Sequence, residues 1–167
     1  MYDLTEHRHR FAVWAAARAA QRGCKGASVE VLGRALRRSG VAGRARRGVS
    51  RPITNATFDQ LHQRWCNSII SFLAQKGTRF TYGRAAKLVA VYLKCMVILG
   101  SGPDTDLAHV SHPPIDDNLL TNIYGRKKLK WTKLEREAYF GLISCLRARL
   151  KPDDPFWKLE QLWTVAT

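Results

Sequence analysis

Between Thr57 and Gly100 the apolar residues return every three or four positions through two consecutive stretches, a spacing that belongs to helices packed on one another. In the first stretch Leu61, Trp65, Ile69, Phe72 and Leu73 share one side of a helix that Thr57 caps and that runs to about Gln75. The second opens at a Thr81 cap and stops at Gly100, and Lys76 to Phe80 forms the tight connection between them. The same period governs the rest of the chain. Asp3, three residues before Glu6, has capping-box spacing and opens a helix to Ala20 with Phe11, Val13, Trp14, Ala15 and Ala19 as its apolar positions. Ser28 caps a second helix to about Ser39, with Val29, Val31, Leu32, Ala35 and Leu36 inside and Gly40 and Gly43 as its stop. Gly43 to Pro52 reads as a basic loop, and Ser101 to Pro114 as a loop rich in Gly, Pro and Asp. Ile115 to Tyr124 is predicted as a short helix with Leu119, Leu120 and Ile123 facing in. Thr132 with Glu135 opens a helix to about Leu150, and Asp154-Pro155 starts a last short one. No segment alternates as a strand does and none repeats. The expected fold is all-α, a single domain over residues 1–167 built as a compact bundle of about seven helices.

Composition agrees with that expectation and adds charge to it. An apolar fraction of 46% over 167 residues is enough for one packed core. Cys24, Cys66, Cys95 and Cys145 are scattered singly, with no C-x-x-C pair, as reduced thiols of an intracellular protein would be. Leu88 to Leu99 is interrupted by Lys94 and too short to span a bilayer, and Met1 to Arg10 is too charged for a secretory signal. A cytoplasmic protein is therefore expected. Lys and Arg number 28 against 13 Asp and Glu, a net charge of +15. Residues 1–53 hold 12 basic and 3 acidic side chains, whereas residues 101–167 are close to neutral. A polyanion-binding face is thus expected in the first hundred residues. No strong basic amphipathic helix ending in exposed Trp or Phe stands out, which ranks a membrane surface below nucleic acid. The expected partner is duplex DNA, bound by a monomer that associates with the nucleoid. The bland alternative is a basic surface that serves only solubility.

Common catalytic signatures are missing. There is no G-x-x-x-x-G-K-[ST] loop, no G-x-G-x-x-G after a strand, no H-E-x-x-H and no nucleophile elbow. His109, His112 and Asp116 have ligand-like spacings, but Pro113 and Pro114 break the helix that would align them. No metal and no cofactor are expected.

Thr57 to Tyr124 carries the most information. Two helices joined by a tight basic connection can clamp a DNA backbone, with N–H groups and cations meeting phosphate at a helix N-terminus. Arg79, Tyr82, Gly83 and Arg84 cluster at that connection. The segment resembles the helix-hairpin-helix DNA glycosylases, above all the 8-oxoguanine glycosylase branch and its compact archaeal members. The resemblance covers about 65 residues and rests on Lys87, early in the helix after Gly83, and on Pro114-Ile115-Asp116, which closes 29 residues later. It implies a lysine nucleophile at Lys87 and an assisting carboxylate at Asp116, each at the start of its helix. The sequence departs from the family in having Gly77 and Gly83 in place of Gly-x-Gly, and in lacking the cysteines of an iron–sulfur cluster. Gly102-Pro103-Asp104 competes for the aspartate role. Asp116 is preferred because Ile115, Leu119, Leu120 and Ile123 give it a buried helix to begin.

The residue types suit base excision, which needs a nucleophile at the sugar C1′ and a carboxylate beside developing oxocarbenium charge. Lys87 stands among Ala85, Ala86, Leu88 and Val89, so its stem can be buried and its amine deprotonated. A Schiff base on it would open strand cleavage by β-elimination. Trp65 and Trp163 are candidates to stack on an extruded base, and Arg44, Arg46 and Arg47 to meet backbone phosphates. Against these stand plain structural roles. Arg84, Lys87 and Lys94 share a helix face that can simply be solvated, Asp116 or Asp117 can be an N-cap, and tryptophans are mostly core. Two functions follow from different classes: a DNA glycosylase, with AP lyase activity open to it, or a non-catalytic helical DNA-binding module of a defence or mobile-element system. An RNA-binding protein ranks third, since no single-strand stacking motif is evident.

Overall fold

A computed structural model describes residues 2–47, 52–100, 102–125 and 129–163, and among these there are helices and no strand. The α-helices are α1 (Leu4–Ala20), α2 (Val29–Ser39), α3 (Val41–Arg47), α4 (Asn55–Ala74), α5 (Tyr82–Leu93), α6 (Asp106–Val110), α7 (Asp117–Tyr124) and α8 (Arg136–Arg147). A π-helical turn, Lys94–Ile98, continues α5, and 3-10 turns lie at Trp131–Lys133 and Phe156–Leu162.

Short-range capping chemistry sets most boundaries. Asp3 accepts from the N–H groups of Thr5 and Glu6, Ser28 from Val31, and Thr81 from Arg84. Gly40 closes α2 in the left-handed region at φ 89°, which a residue with a Cβ rarely adopts. Several boundaries differ from the sequence expectation. Thr54 rather than Thr57 caps α4, and the Thr57 N–H donates to it at 3.2 Å. Gly43 to Arg47 is helical, because Val41, Ala42 and Ala45 bury one side of α3; residues 48–51 of the predicted basic loop lie outside the described residues. The loop before Pro113 contains α6, capped by Thr105. Lastly, α8 begins at Arg136 and Thr132 belongs to the 3-10 turn before it.

The core forms where α1 packs on α5 and α2 on α4, with α4 against α5. Helix α1 turns an alanine face inward, Ala12, Ala16, Ala17 and Ala20, so its backbone comes close to its neighbours. A Cβ on Gly33 of α2 would stand 2.9 Å from Val13 of α1, which shows how near those two helices approach. Because small residues fill the contact, the large ones of α1 are left outside. Phe11 is 56% and Trp14 53% exposed, although both are among the apolar positions of the predicted helix, and α1 is thus a basic helix that does display Phe and Trp. One buried polar link joins the helices, His9 Nδ1 to the Tyr92 hydroxyl at 2.7 Å.

Gly83 explains the placement of the segment after α7. Its N–H donates to the Leu134 carbonyl at 2.9 Å, and a Cβ there would lie 2.0 Å from the Trp131 carbonyl oxygen. Only a residue without a side chain lets the 131–134 turn press against the first turn of α5. That contact holds the Trp131 indole beside the second turn, where Lys87 stands.

Candidate active site

Lys87 lies six residues beyond the Thr81 cap, and Ala85, Ala86, Leu88, Val89 and Ala90 around it are all buried. Its stem therefore runs through packed interior, and 7% of the side chain is reached by solvent. The ammonium donates to Asp116 Oδ2 at 2.8 Å and stands 5.8 Å from the centre of the Trp131 ring. Burial lowers the pKa of Lys87 below that of an ordinary lysine, although the Asp116 carboxylate pulls it back up.

Asp116 uses its two oxygens differently. Oδ1 accepts the Leu119 N–H at 2.9 Å and caps α7, while Oδ2 accepts from Lys87 and, at 2.8 Å, from the Trp163 indole N–H. The alternative of a cap or a free carboxylate dissolves, since one residue fills both roles. Burial pushes its pKa up, but the Lys87 charge and the hydrogen bonds from Leu119 and Trp163 outweigh it and hold Asp116 below the usual carboxylate value.

These groups share a cavity of about 530 Å³, within the range of small-molecule sites. Trp131 and Trp163 flank it, Val91 and Cys95 of α5 and the π turn line it, and Phe11, Arg18 and Arg22 border it from the side of α1. A second ion pair closes the same space, Lys94 with Glu160 Oε2. The other Glu160 oxygen is buried and meets no hydrogen-bond partner among the described residues, and burial raises the pKa of this carboxyl. The site thus holds two lysine–carboxylate pairs between aromatic rings. One pair is capped and fixed, and the other keeps an unsatisfied acceptor.

A buried polar network anchors the chain four residues before Asp116. Arg147 donates to both oxygens of Asp59 at 2.7 and 2.6 Å, and His112 Nε2 meets Asp59 Oδ1 at 2.9 Å. His112 Nδ1 pairs with the Tyr139 hydroxyl at 3.0 Å, and the His62 ring stacks on Tyr139 with centres 5.2 Å apart. Burial brings the pKa of His112 down to about 4 and that of His62 well below its ordinary value, so both rings are neutral. From this anchored His112, the stiff Pro113-Pro114 step leads through Ile115 to Asp116.

The structure brings Lys87, Asp116 and Trp163 together. It separates the other sequence candidates from them. Trp65 is buried on α4 against Phe58, ring centres 5.9 Å apart, and takes no part in the cavity. Tyr82 is also buried, its hydroxyl 3.2 Å from His62 Nδ1, and Gly83 faces Trp131, so neither presents a surface to phosphate. Arg84 donates to the Ala20 carbonyl at 2.7 Å and closes the end of α1. Arg46 pairs with Glu6 at 2.6 Å, Arg44 is half-buried, and Arg47 and Arg79 are exposed. Asp104 is exposed before α6, away from the lysine, and His109 is exposed while His112 is engaged with Asp59. No group of three metal-ligating side chains occurs among the described residues. Sequence reasoning missed Glu160 and Trp131 and left Lys94 on a face that could be solvated, because their partners lie dozens of residues away and no local motif marks them.

Two other concavities lie apart from this site, one of about 600 Å³ beside Arg147, where Asp154 pairs with Lys158, and one of about 1050 Å³ at the Gly23–Ser28 turn. Among the described residues no helix is long and apolar enough to cross a membrane. Compared with protein-family models, with curated proteins and with solved structures, the chain matches none.

Proposed function

We propose that this protein is a DNA base-excision glycosylase that uses Lys87 as nucleophile and Asp116 as the assisting carboxylate. The observation that carries the reading is the 2.8 Å contact between Lys87 Nζ and Asp116 Oδ2, buried at one end of an aromatic-walled cavity. A net charge of +15 supplies the attraction to a polyanion. In the proposed reaction the Lys87 ammonium first gives up a proton to solvent, and the lone pair of the resulting amine forms a bond to C1′ of an extruded nucleotide. The bond from C1′ to the base breaks, and its electrons leave on the base nitrogen, which takes up a proton. Asp116 opposes the positive charge that builds on the sugar, as a carboxylate held in its charged form can. Ring opening leaves an iminium on Lys87. Water hydrolyses it, or it loses the C2′ proton and expels the 3′ phosphate in a lyase step. Trp131 and Trp163 offer faces for the extruded base, and the unsatisfied Glu160 oxygen offers an acceptor for a base N–H.

The test is borohydride trapping on duplexes that carry 8-oxoguanine, uracil or an abasic site. A covalent adduct is expected with the wild type and is lost in Lys87→Gln, and Asp116→Asn slows its formation by at least tenfold. Salt-sensitive DNA binding without an adduct on any duplex would overturn the enzyme reading in favour of a DNA-binding module.

A further inference from the structure

A helix on the surface of a globular protein ordinarily hides its large apolar side chains and shows its polar ones. In α1 the order is reversed. Its buried side is four alanines with His9 and Val13, whereas Phe11 and Trp14 face solvent with their ring centres 5.9 Å apart and 36° between planes. Helical spacing sets Arg18 one turn beyond Trp14 on this outer side, and Arg22 follows just past the helix end. Both arginines are exposed, and neither is within ion-pairing distance of a carboxylate among the described residues. Phe11, Arg18 and Arg22 also form the border of the Lys87 cavity. Two aromatic faces and two guanidiniums thus run along one side of the candidate active site.

From this juxtaposition we infer that the outer face of α1 is a track for unpaired DNA, on which bases stack against Phe11 and Trp14 while Arg18 and Arg22 hold the strand's phosphates beside the cavity. The inference rests on the DNA reading above and narrows its substrate to DNA that is open near the target nucleotide. The chemistry favours an unpaired strand for a specific reason. A closed duplex offers phosphates and groove edges to its surroundings, and its base faces are covered by their neighbours. Exposed rings gain from stacking only where base faces are open, and every base has such a face. The guanidiniums match phosphate through their paired donors. An anionic membrane is a poorer match, because an inserting helix needs a continuous apolar strip. On α1 that strip is interrupted by His7 and Arg8 after Leu4, and it ends in Arg18 and Arg22.

The experiment measures binding of fluorescently labelled, lesion-free DNA as a single strand, as the closed duplex and as that duplex with a central unpaired bubble. The wild type should bind strand and bubble at least tenfold more tightly than the closed duplex. Phe11→Ala with Trp14→Ala should abolish that preference and leave closed-duplex affinity within about twofold, while Phe11→Tyr with Trp14→Tyr should keep it. Arg18→Gln with Arg22→Gln should lower the slope of log affinity against log salt by about 1.4 for the single strand, about 0.7 for each phosphate no longer neutralised. All four side chains are exposed, so circular dichroism should show the variants folded. Equal binding to the three DNAs, or a preference that survives removal of both rings, would overturn the inference while the adduct test stands. Binding to phosphatidylserine vesicles but not to the strand, or ring-dependent self-association without DNA, would overturn it in favour of a membrane or of a second copy. Adduct formation on lesion duplexes is a separate readout, so loss of the glycosylase reading and loss of the track are told apart.

Discussion

A double-mutant cycle on Lys87 and Asp116 asks whether the buried pair is a stabilising feature or one kept for chemistry. At 2.8 Å the two charges attract by about 6 kcal/mol if the local dielectric constant is about 20, and desolvating both groups offsets much of that. The two partners are not equivalent. Asp116→Asn keeps an α7 cap, because an asparagine oxygen can still accept the Leu119 N–H, but it leaves the Lys87 ammonium buried without a counter-charge. Breaking a buried pair in this manner costs about 3–5 kcal/mol, and the lower end applies because Lys87 can lose its proton instead. Lys87→Met fills the same tunnel with an apolar chain and leaves Asp116 bound to Leu119 and Trp163, with 19% of its side chain in contact with water. Its expected cost is under about 1 kcal/mol, and a gain in stability is consistent with burying an apolar chain in place of a charge. In the Lys87→Met background Asp116→Asn should then cost little, so the coupling is about 2–3 kcal/mol. Urea unfolding at pH 7, followed by circular dichroism, measures all four corners. Additive effects, or a Lys87→Met variant that loses more stability than Asp116→Asn, would refute this account of the pair.

Other expected outcomes follow from neighbouring groups. His112 is neutral and buried with a pKa near 4, against 6.5 for an ordinary histidine. The unfolded chain therefore binds more protons between these values, and stability falls as pH drops from about 6.5 to about 4, by about 3 kcal/mol from this residue. His112→Phe, which keeps a ring against Phe58 and Phe156, should flatten that slope in urea unfolding at pH 4.5 and 7. Gly83→Ala should cost about 1–3 kcal/mol or more, because its Cβ meets a backbone carbonyl rather than a movable side chain. The same change should shift the Trp131 environment in near-UV circular dichroism. Trp163→Phe removes one of the two hydrogen bonds on Asp116 Oδ2, so the Asp116 carboxyl should titrate at higher pH in carbon-detected NMR.

Much of the local order was legible in the chain alone. Asp3, Ser28 and Thr81 start helices through hydrogen bonds that reach two or three residues, so their chemistry lies within a short window of sequence. The resemblance carried by Lys87 and by Pro114-Ile115-Asp116 likewise picked the two groups that meet at 2.8 Å. Which face of a helix turns inward was decided by the tertiary structure. In α1 both faces have apolar residues, so periodicity favours neither. The alanine face was buried because only small side chains allow the close approach of α5 and α2, and this left Phe11 and Trp14 outside. The same dependence on distant contacts hid the rest of the site. Glu160 meets Lys94 across 66 residues, and the burial of Tyr82 depends on His62 and Tyr139 from two other helices. Short-range bonding thus wrote the helices into the sequence, while the packing of alanine, glycine and aromatic surfaces determined which basic side chains among the described residues stand beside a carboxylate and which are left for a partner.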